Sequence, residues 1–268
     1  MSKIGKLFKV LSLIIREPSL LNKVLDAPEV NKEGVRSKYD LDKGLRSVDI
    51  TDLLPGMNIT VEPYAALEGG STPIDQALLK GLAASIPNCN YFEIGTWRGE
   101  SVANVASAAS HCTSLNLPDE TMLNMGLSKD YVSLHRHFSK GLKNVTHLQG
   151  NSTNFDFSPY QKKFDLIFID GDHHYETVKN DTEKAFTLLK DEQSVIVWHD
   201  YGHDPADIRW DVFRGILDGT PADKRKYLYR VSNSLCAIYT TRPLKAEYPG
   251  EYAIPSKHFS ITVKALKA

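Results

Sequence analysis

From about residue 72 onward, short apolar runs alternate with stretches in which apolar residues recur at helical spacing. Short, continuous apolar runs are typical of strands that are buried on both faces. Strands that alternate with helices connect through right-handed crossovers, so they form a parallel sheet covered by helices on both sides. The runs are NYFEIG, TSLNL, NVTHLQG, FDLIFIDG, SVIVWHD, KYLYRV and LCAIYTT.

The last two runs predict a change of strand direction. Only the short link SNS separates KYLYRV from LCAIYTT, which favours a hairpin and therefore an antiparallel strand. The expected fold is α/β and Rossmann-like: a doubly wound, mostly parallel, seven-stranded sheet with a C-terminal antiparallel hairpin strand. In such sheets, ligands bind in the crevice outside the carboxyl ends of the strands.

The flanking segments lack this alternation. Pro18, Pro28 and Pro55 interrupt the first part of the chain, which also contains a charged stretch without clear periodicity. We therefore expect an N-terminal helical extension over residues 1–60, a ligand-binding domain over residues 61–245 and a C-terminal tail over residues 246–268.

The segment MSKIGKLFKVLSLIIREPSLL predicts an amphipathic helix, with apolar residues on one face and most basic residues elsewhere. Such a helix packs on its own domain or on a partner subunit, as in a homodimer. Alternatively, residues 3–16 lie on an anionic membrane surface. The sequence leaves these alternatives open. A signal peptide is not expected, because VLSLII is short and no small-residue cleavage site follows it.

Charge and cysteine content narrow the class of protein. The 32 basic and 33 acidic residues give no excess charge that would attract nucleic acid. The three cysteines contain no CxxC pair, which disfavours a disulfide framework or a structural zinc site and fits a reducing cytosol. We therefore expect a cytoplasmic protein, with a membrane-peripheral location as the alternative.

The stretch YFEIGTWRGES, residues 91–101, joins an apolar run to the start of a helix. Gly95 and Gly99 are four residues apart, and Trp97 stands where the dinucleotide fingerprint G-x-G-x-x-G needs its second glycine. Trp97 would crowd a pyrophosphate, and Glu93 would repel it. Glu93 instead suits a cationic amine, while the helix start near Ser101 suits a carboxylate. The turn therefore predicts a ligand that carries both an ammonium group and a carboxylate.

FEIGTWRGES resembles the first motif, E/D-x-G-x-x-x-G-x-S, of class I S-adenosylmethionine-dependent methyltransferases. The resemblance implies that the cofactor is S-adenosylmethionine. It further implies that the cofactor contacts Glu93, Gly95, Thr96, Gly99 and Ser101.

Ionisable residues follow two further apolar runs, in FDLIFIDGDHHYE and SVIVWHDY. Because parallel strands end at the same edge of a sheet, these groups are expected to converge there. Packing alone does not account for so many ionisable groups at one place, since burying them unpaired is costly. They are Asp170, Asp172, His173, His174, His199 and Asp200.

This pair of motifs is similar to a methyltransferase subfamily that includes macrolide-sugar and catechol-type O-methyltransferases, and the similarity covers about residues 72–242. It implies that Asp170, His199 and Asp200 hold a divalent metal ion, and that Asp172 or His173 is the general base. Of these two, His173 is the first choice and Asp172 the second, because an unperturbed imidazole titrates near neutral pH. His199 stands where those relatives have a carboxylate or amide oxygen. Magnesium prefers oxygen ligands, while imidazole suits zinc, manganese or iron, so the metal stays open. A structural or substrate-contacting His199 without metal is the alternative.

Other positions also depart from the family pattern. Asn116 stands where relatives usually place an acid against the ribose hydroxyls, and Asn151 stands where an aspartate near the adenine is common, with Ser152 beside it. An amide still hydrogen-bonds a diol, without charge assistance. The resemblance implies that these three residues, together with Asp170, contact the cofactor; ordinary solvated loops are the alternative.

The expected function is methyl transfer from S-adenosylmethionine to a hydroxyl group of a small molecule, such as a sugar, a glycolipid precursor or a natural product. A non-catalytic module that keeps the cofactor pocket is the first alternative. An NAD-dependent oxidoreductase is disfavoured by the spacing of the glycines and by the glutamate before the turn. The sequence does not name the methyl acceptor, because acceptor pockets are built from variable loops.

Overall fold

The computed structural model describes residues 2–16, 28–203, 205–250 and 254–266. The strands are β1 (Ser47–Val48), β2 (Asn90–Ile94), β3 (His111–Asn116), β4 (Val145–Gln149), β5 (Leu166–Ile169), β6 (Val195–Trp198), β7 (Leu228–Val231), β8 (Ala237–Tyr239) and β9 (Ala246–Glu247). The α-helices are α1 (Lys3–Arg16), α2 (Pro28–Tyr39), α3 (Ile50–Leu53), α4 (Pro73–Ala84), α5 (Glu100–Ala106), α6 (Asp119–Asn124), α7 (Lys129–Ser133), α8 (Tyr175–Leu188) and α9 (Trp210–Gly219). Short 3₁₀-helices cover Ser158–Tyr160, Pro205–Asp207 and Arg225–Tyr227.

Within the described residues, the strands form one sheet in the order β4-β3-β2-β5-β6-β8-β7-β1-β9. Strands β2 to β6 pair in parallel, and β8 runs antiparallel to both β6 and β7. The predicted α/β class, the mostly parallel sheet and the C-terminal antiparallel hairpin are therefore confirmed.

The prediction of seven strands was wrong, because the described residues form a sheet of nine strands. The additional strands, β1 and β9, extend the sheet beyond β7, where β1 pairs in parallel with β7 and antiparallel with β9. Each has two residues, which is too short to produce a periodic pattern. They lie in the predicted extension and tail, whose boundaries at residues 60 and 245 stay a prediction.

The central strands are buried on both faces because their side chains are apolar at successive positions. Every residue of β5 and β6 is buried. Neighbouring side chains point to opposite faces, so Phe92 and Ile167 belong to one hydrophobic cluster while Tyr91 and Phe168 belong to the other. The sheet therefore separates two hydrophobic cores.

Helix α4 begins at a capping box. Thr72 accepts a hydrogen bond from the backbone N–H of Asp75, while the Asp75 carboxylate accepts one from the backbone N–H of Thr72. This cap fixes the side chain of Asp75, which is fully buried.

In the described part of the chain, no helix combines the length and the apolar character needed to cross a bilayer.

Candidate active site

The turn after β2 packs directly against the end of β5. Gly95 has φ +95°, and a Cβ atom there would lie only 2.1 Å from the backbone oxygen of Asp170. The backbone N–H of Asp170 donates to the backbone oxygen of Ile94 at 2.8 Å. Only glycine satisfies both the positive φ and this close approach. The turn predicted to bind the cofactor and the aspartate predicted to face it are thus neighbours.

Gly99, on the other side of the turn, also occupies a position that requires glycine. Its φ is +79°, and a Cβ atom would lie 2.3 Å from Oγ of Ser139. The backbone N–H of Arg136 donates to the oxygen of Trp97 at 2.8 Å, and that of Phe138 donates to the oxygen of Arg98 at 2.9 Å. The segment before β4 therefore lines one side of the turn.

Glu93 is completely buried below the turn. The Tyr91 hydroxyl donates to its carboxyl group at 2.6 Å, and the Thr96 hydroxyl donates at 3.4 Å. Burial raises the pKa of Glu93 to about 8, and the nearby charge of Asp170 also raises it, although hydrogen bonds from Tyr91 and Ser101 act in the opposite direction. At neutral pH, Glu93 is therefore mostly protonated. The Thr96 and Ser101 hydroxyls connect this carboxyl group to the turn above it.

We expect Glu93→Gln to reduce the loss of stability at alkaline pH. A carboxyl group whose pKa is raised on folding binds its proton more tightly in the folded state, so stability falls as pH rises from about 4.5 to about 8. Between pH 6 and pH 9, the wild type should lose about 2–3 kcal/mol more unfolding free energy than the variant. Urea unfolding at both pH values measures this difference. The exposed Glu183→Gln is the control, and an equal pH response of wild type and Glu93→Gln would refute the expectation.

The end of β3 contains a buried donor that no described residue satisfies. The Asn116 side-chain oxygen accepts a hydrogen bond from the backbone N–H of Thr96 at 3.3 Å, whereas its Nδ2 is buried and has no hydrogen-bond partner among the described residues. The Thr96 hydroxyl also contacts that of Ser114. A buried amide N–H without an acceptor is unfavourable unless a ligand accepts its hydrogen bond. Asn116 is therefore well suited to donate to a ligand oxygen.

The loop after β4 begins beside Asn116, because the backbone N–H of Gly150 donates to the backbone oxygen of Asn116 at 2.8 Å. The Asn151 side chain turns back on its own loop and accepts from the backbone N–H of Thr153 at 3.0 Å. The backbone oxygen of Ser152 accepts from Asn180 of α8 at 3.2 Å. The two predicted residues thus lie near Asn116, but Asn151 is exposed and already used in its own turn.

A polar rim, defined here as Asp170, His199 and Asp200, lies at the ends of β5 and β6. Nδ1 of His199 is 3.2 Å from Oδ1 of Asp170 and 3.3 Å from Oδ2 of Asp200. One ligand atom from each residue lies within 4.8 Å of the others. The structure therefore brings together the three residues predicted to hold a metal ion, in a spacing that fits one cation.

The opposite nitrogen of His199 faces a residue that the sequence did not indicate. Nε2 lies 3.4 Å from Oδ2 of Asp75, whose other oxygen accepts from the backbone N–H of Leu235 at 2.9 Å. Burial alone would lower the pKa of His199, but the charge of Asp170 and hydrogen bonds with Asp170, Asp200 and Asp75 raise it well above its ordinary value. The surrounding carboxylates therefore favour the protonated form of the imidazole.

Asp200 is held in an uncommon conformation, with φ +60°. Its carboxylate lies 2.7 Å from a guanidinium nitrogen of Arg209 and 3.2 Å from Nδ1 of His173. Burial would raise the pKa of Asp200, but hydrogen bonding to His199 and the nearby charges of His199, His173 and Arg209 lower it to about 2. Asp200 therefore stays ionised and connects the rim to His173.

The two predicted base residues have different surroundings. The side chain of His173 is half exposed and reaches Asp200. Asp172 instead contacts the ring of His174 and accepts from the backbone N–H of His174 at 2.9 Å, at the start of α8. Burial would raise the pKa of Asp172, but these hydrogen bonds lower it. Of the two, His173 is the residue that contacts the polar rim.

Two residues of the site, Asp75 and Arg209, were missed by the sequence analysis. Asp75 belongs to the sequence TPID, which indicates a helix cap and accounts for its position in α4. Nothing in that pattern indicates that the same carboxylate also faces β6. Arg209 follows a loop and has no motif around it.

The described residues also contain a cavity of about 580 Å³ away from the rim, lined in part by Arg136, Lys140 and His147. Asp119, which borders this cavity, pairs with Arg136 at 2.5 Å. No motif in the sequence indicates this cavity.

Residues 92–201 match the family model described as a methyltransferase domain. A search of curated proteins found no match. Among solved structures, an O-methyltransferase from Bacillus cereus in complex with SAH is 17% identical, with 70% of this chain and 85% of that chain covered and a TM-score of 0.42. A cofactor-bound protein from MTB is 18% identical, with 66% and 83% covered and a TM-score of 0.45.

The YcgJ protein from Bacillus subtilis is 19% identical, with 50% of this chain covered and a TM-score of 0.37. The match spans 53% of that protein, or about half of its length. The family match begins in β2 and ends just after β6, so it includes the turn at residues 95–99 and the whole polar rim. This part of the chain matches a methyltransferase domain.

Proposed function

We propose that the protein is an S-adenosylmethionine-dependent methyltransferase that transfers the methyl group to a hydroxyl oxygen of a small molecule. The observation that supports this best is the contact between Gly95 and the backbone of Asp170. This contact places the turn that would bind S-adenosylmethionine next to the polar rim. The side chains of the polar rim could orient an acceptor hydroxyl. Methyl transfer is mainly a positioning task, so adjacency of donor and acceptor sites is its first requirement.

The cofactor would contact the turn at residues 95–99 and the ends of β2 and β3. Its ammonium group would favour the ionised form of Glu93, and the unpartnered Nδ2 of Asn116 would donate to a ribose hydroxyl. Trp97 stands in the place where a pyrophosphate would need glycine, which supports a cofactor without one. Asp170 would lie beside the reactive end of the cofactor.

The residues of the rim fit a divalent metal ion. Nδ1 of His199 faces carboxylate oxygens of Asp170 and Asp200 at 3.2 and 3.3 Å, while Asp75 faces the other ring nitrogen. Metal-bound histidines commonly have such a carboxylate behind them. The mixed nitrogen and oxygen ligands favour manganese, zinc or iron over magnesium. When bound, such an ion would lower the pKa of an acceptor hydroxyl.

His173 is the proposed general base. Its ring lies beside Asp200, which is ionised and orients it, and its half-exposed side chain is accessible to an acceptor. Asp172 is the weaker candidate, because its carboxylate binds the first turn of α8 and has a lowered pKa. The acceptor itself, the cytoplasmic location and a homodimer stay predictions.

Isothermal titration calorimetry tests the proposed cofactor. We expect S-adenosylmethionine and its demethylated product to bind in the micromolar range and NAD not to bind. A truncated ligand, methionine alone, is the matched control, and it should bind much more weakly because it lacks the adenosine part. Binding of NAD, or no binding of either sulfur compound, would contradict the proposed function.

A further inference from the structure

Helix α1 has an apolar face that the rest of the described chain does not cover. None of its residues is buried, and Ile15, Phe8 and Ile4 are 80%, 69% and 68% exposed. At 100° per residue, six apolar residues fall within an arc of about 120°. This apolar face consists of Ile4, Leu7, Phe8, Leu11, Ile14 and Ile15.

The charged residues of α1 are all basic, and Gly5, Val10, Ser12 and Leu13 occupy the rest of its surface. The helix contains Lys3, Lys6, Lys9 and Arg16 and no acidic residue, although the whole chain has a formal net charge of −1. The helix therefore carries four positive charges and no negative one. A second copy of α1 on the apolar face would bring the same four cations alongside, so like-charge repulsion opposes a helix pair between two copies.

The helix also needs a cover for its own stability. Isolated helices of about 12–15 residues are marginal in water, and most helical stability in proteins comes from packing an amphipathic face. Helix α1 has 14 residues and buries none of them. At 1.5 Å per residue it is about 21 Å long, shorter than the roughly 30 Å hydrocarbon core of a bilayer. It is therefore suited to lie along a surface.

We propose that α1 binds an anionic lipid surface, with its apolar face among the acyl chains and its basic residues at the headgroups. A flat membrane surface accommodates all six apolar side chains at once, without a pocket matched to each. Anionic lipid also supplies the charge opposite to that of the helix. This inference is independent of the proposed methyl transfer.

Co-sedimentation of the full chain with vesicles tests the inference. We expect binding to vesicles of phosphatidylcholine with about 30% phosphatidylglycerol, weaker binding in 0.5 M salt, and little binding to pure phosphatidylcholine. The double variant Lys6→Glu/Lys9→Glu and the variant Leu7→Ser should each bind the anionic vesicles about tenfold more weakly or worse. The matched control is Leu67→Ser, because Leu67 is 64% exposed and lies outside α1.

Because the altered side chains are exposed, unfolding of the variants should match that of the wild type. Three results would overturn the inference. The first is no preference for anionic vesicles, and the second is equal loss of binding in Leu7→Ser and Leu67→Ser. The third is a dimer that Leu7→Ser dissociates while the wild type ignores vesicles, which would make a second copy the occupant.

Discussion

Replacing Gly95 by alanine should lower the unfolding free energy by about 4 kcal/mol or more. The new Cβ atom would lie 2.1 Å from the backbone oxygen of Asp170, which cannot rotate away as a side chain would. Either the turn or the end of β5 must move. Because the proposed cofactor and acceptor sites meet at this contact, binding of S-adenosylmethionine should also be lost.

Gly126→Ala is the matched control for this prediction. Gly126 has φ +90°, close to the +95° of Gly95, but nothing lies within 4 Å of its Cβ position. Its substitution should cost about 1–2 kcal/mol, the strain of the backbone conformation alone. Urea unfolding and cofactor titration of both variants separate strain from contact. Equal losses of stability would mean that the turn and the end of β5 do not approach each other closely.

Replacing His173 by alanine should reduce the rate of methyl transfer by about 10²–10⁴-fold, which is the usual contribution of a general base. His173 reaches Asp200, whereas the adjacent His174 reaches Asp172 at the start of α8. His174→Ala is therefore a control with the same chemistry at the next position. Its rate should stay within about threefold of the wild type.

The assay measures transfer of a labelled methyl group to an acceptor found by screening small hydroxylated compounds. Affinity for S-adenosylmethionine should change less than about twofold in both variants, since neither residue belongs to the turn. A full rate in His173→Ala, or the same loss in both variants, would exclude His173 as the base.

Apolar pattern was sufficient to predict the parts of the fold that depend on burial. Strands β5 and β6 are buried at every position, so LIFI and VIVW identify them without any knowledge of their neighbours. The parallel order places their ends at one edge, which is why Asp170, His199 and Asp200 could be predicted to meet. Strands β1 and β9 could not be predicted, because two-residue strands depend on their partners for recognition.

The chemistry of individual side chains was less predictable, because it depends on contacts between distant parts of the chain. The position of Glu93 was clear, but its complete burial and raised pKa follow from helices and strands packed around it. Asp172 and His173 are adjacent in the sequence, yet one turns to α8 and the other to Asp200. Asp75 reaches His199 across 124 positions, a contact that no local pattern contains.

A crystal structure of the protein with S-adenosylhomocysteine, the demethylated product of the cofactor, is the most direct test. It measures whether the methyl donor and the methyl acceptor bind at the same edge of the sheet. The sulfur atom should lie above residues 95–99, with open space between it and the side chains of Asp170 and His173. The proposal is contradicted if the compound instead occupies the cavity lined by Arg136, Lys140 and His147, or lies across the sheet from the polar rim. In either case, the turn at residues 95–99 and the polar rim do not form one active site.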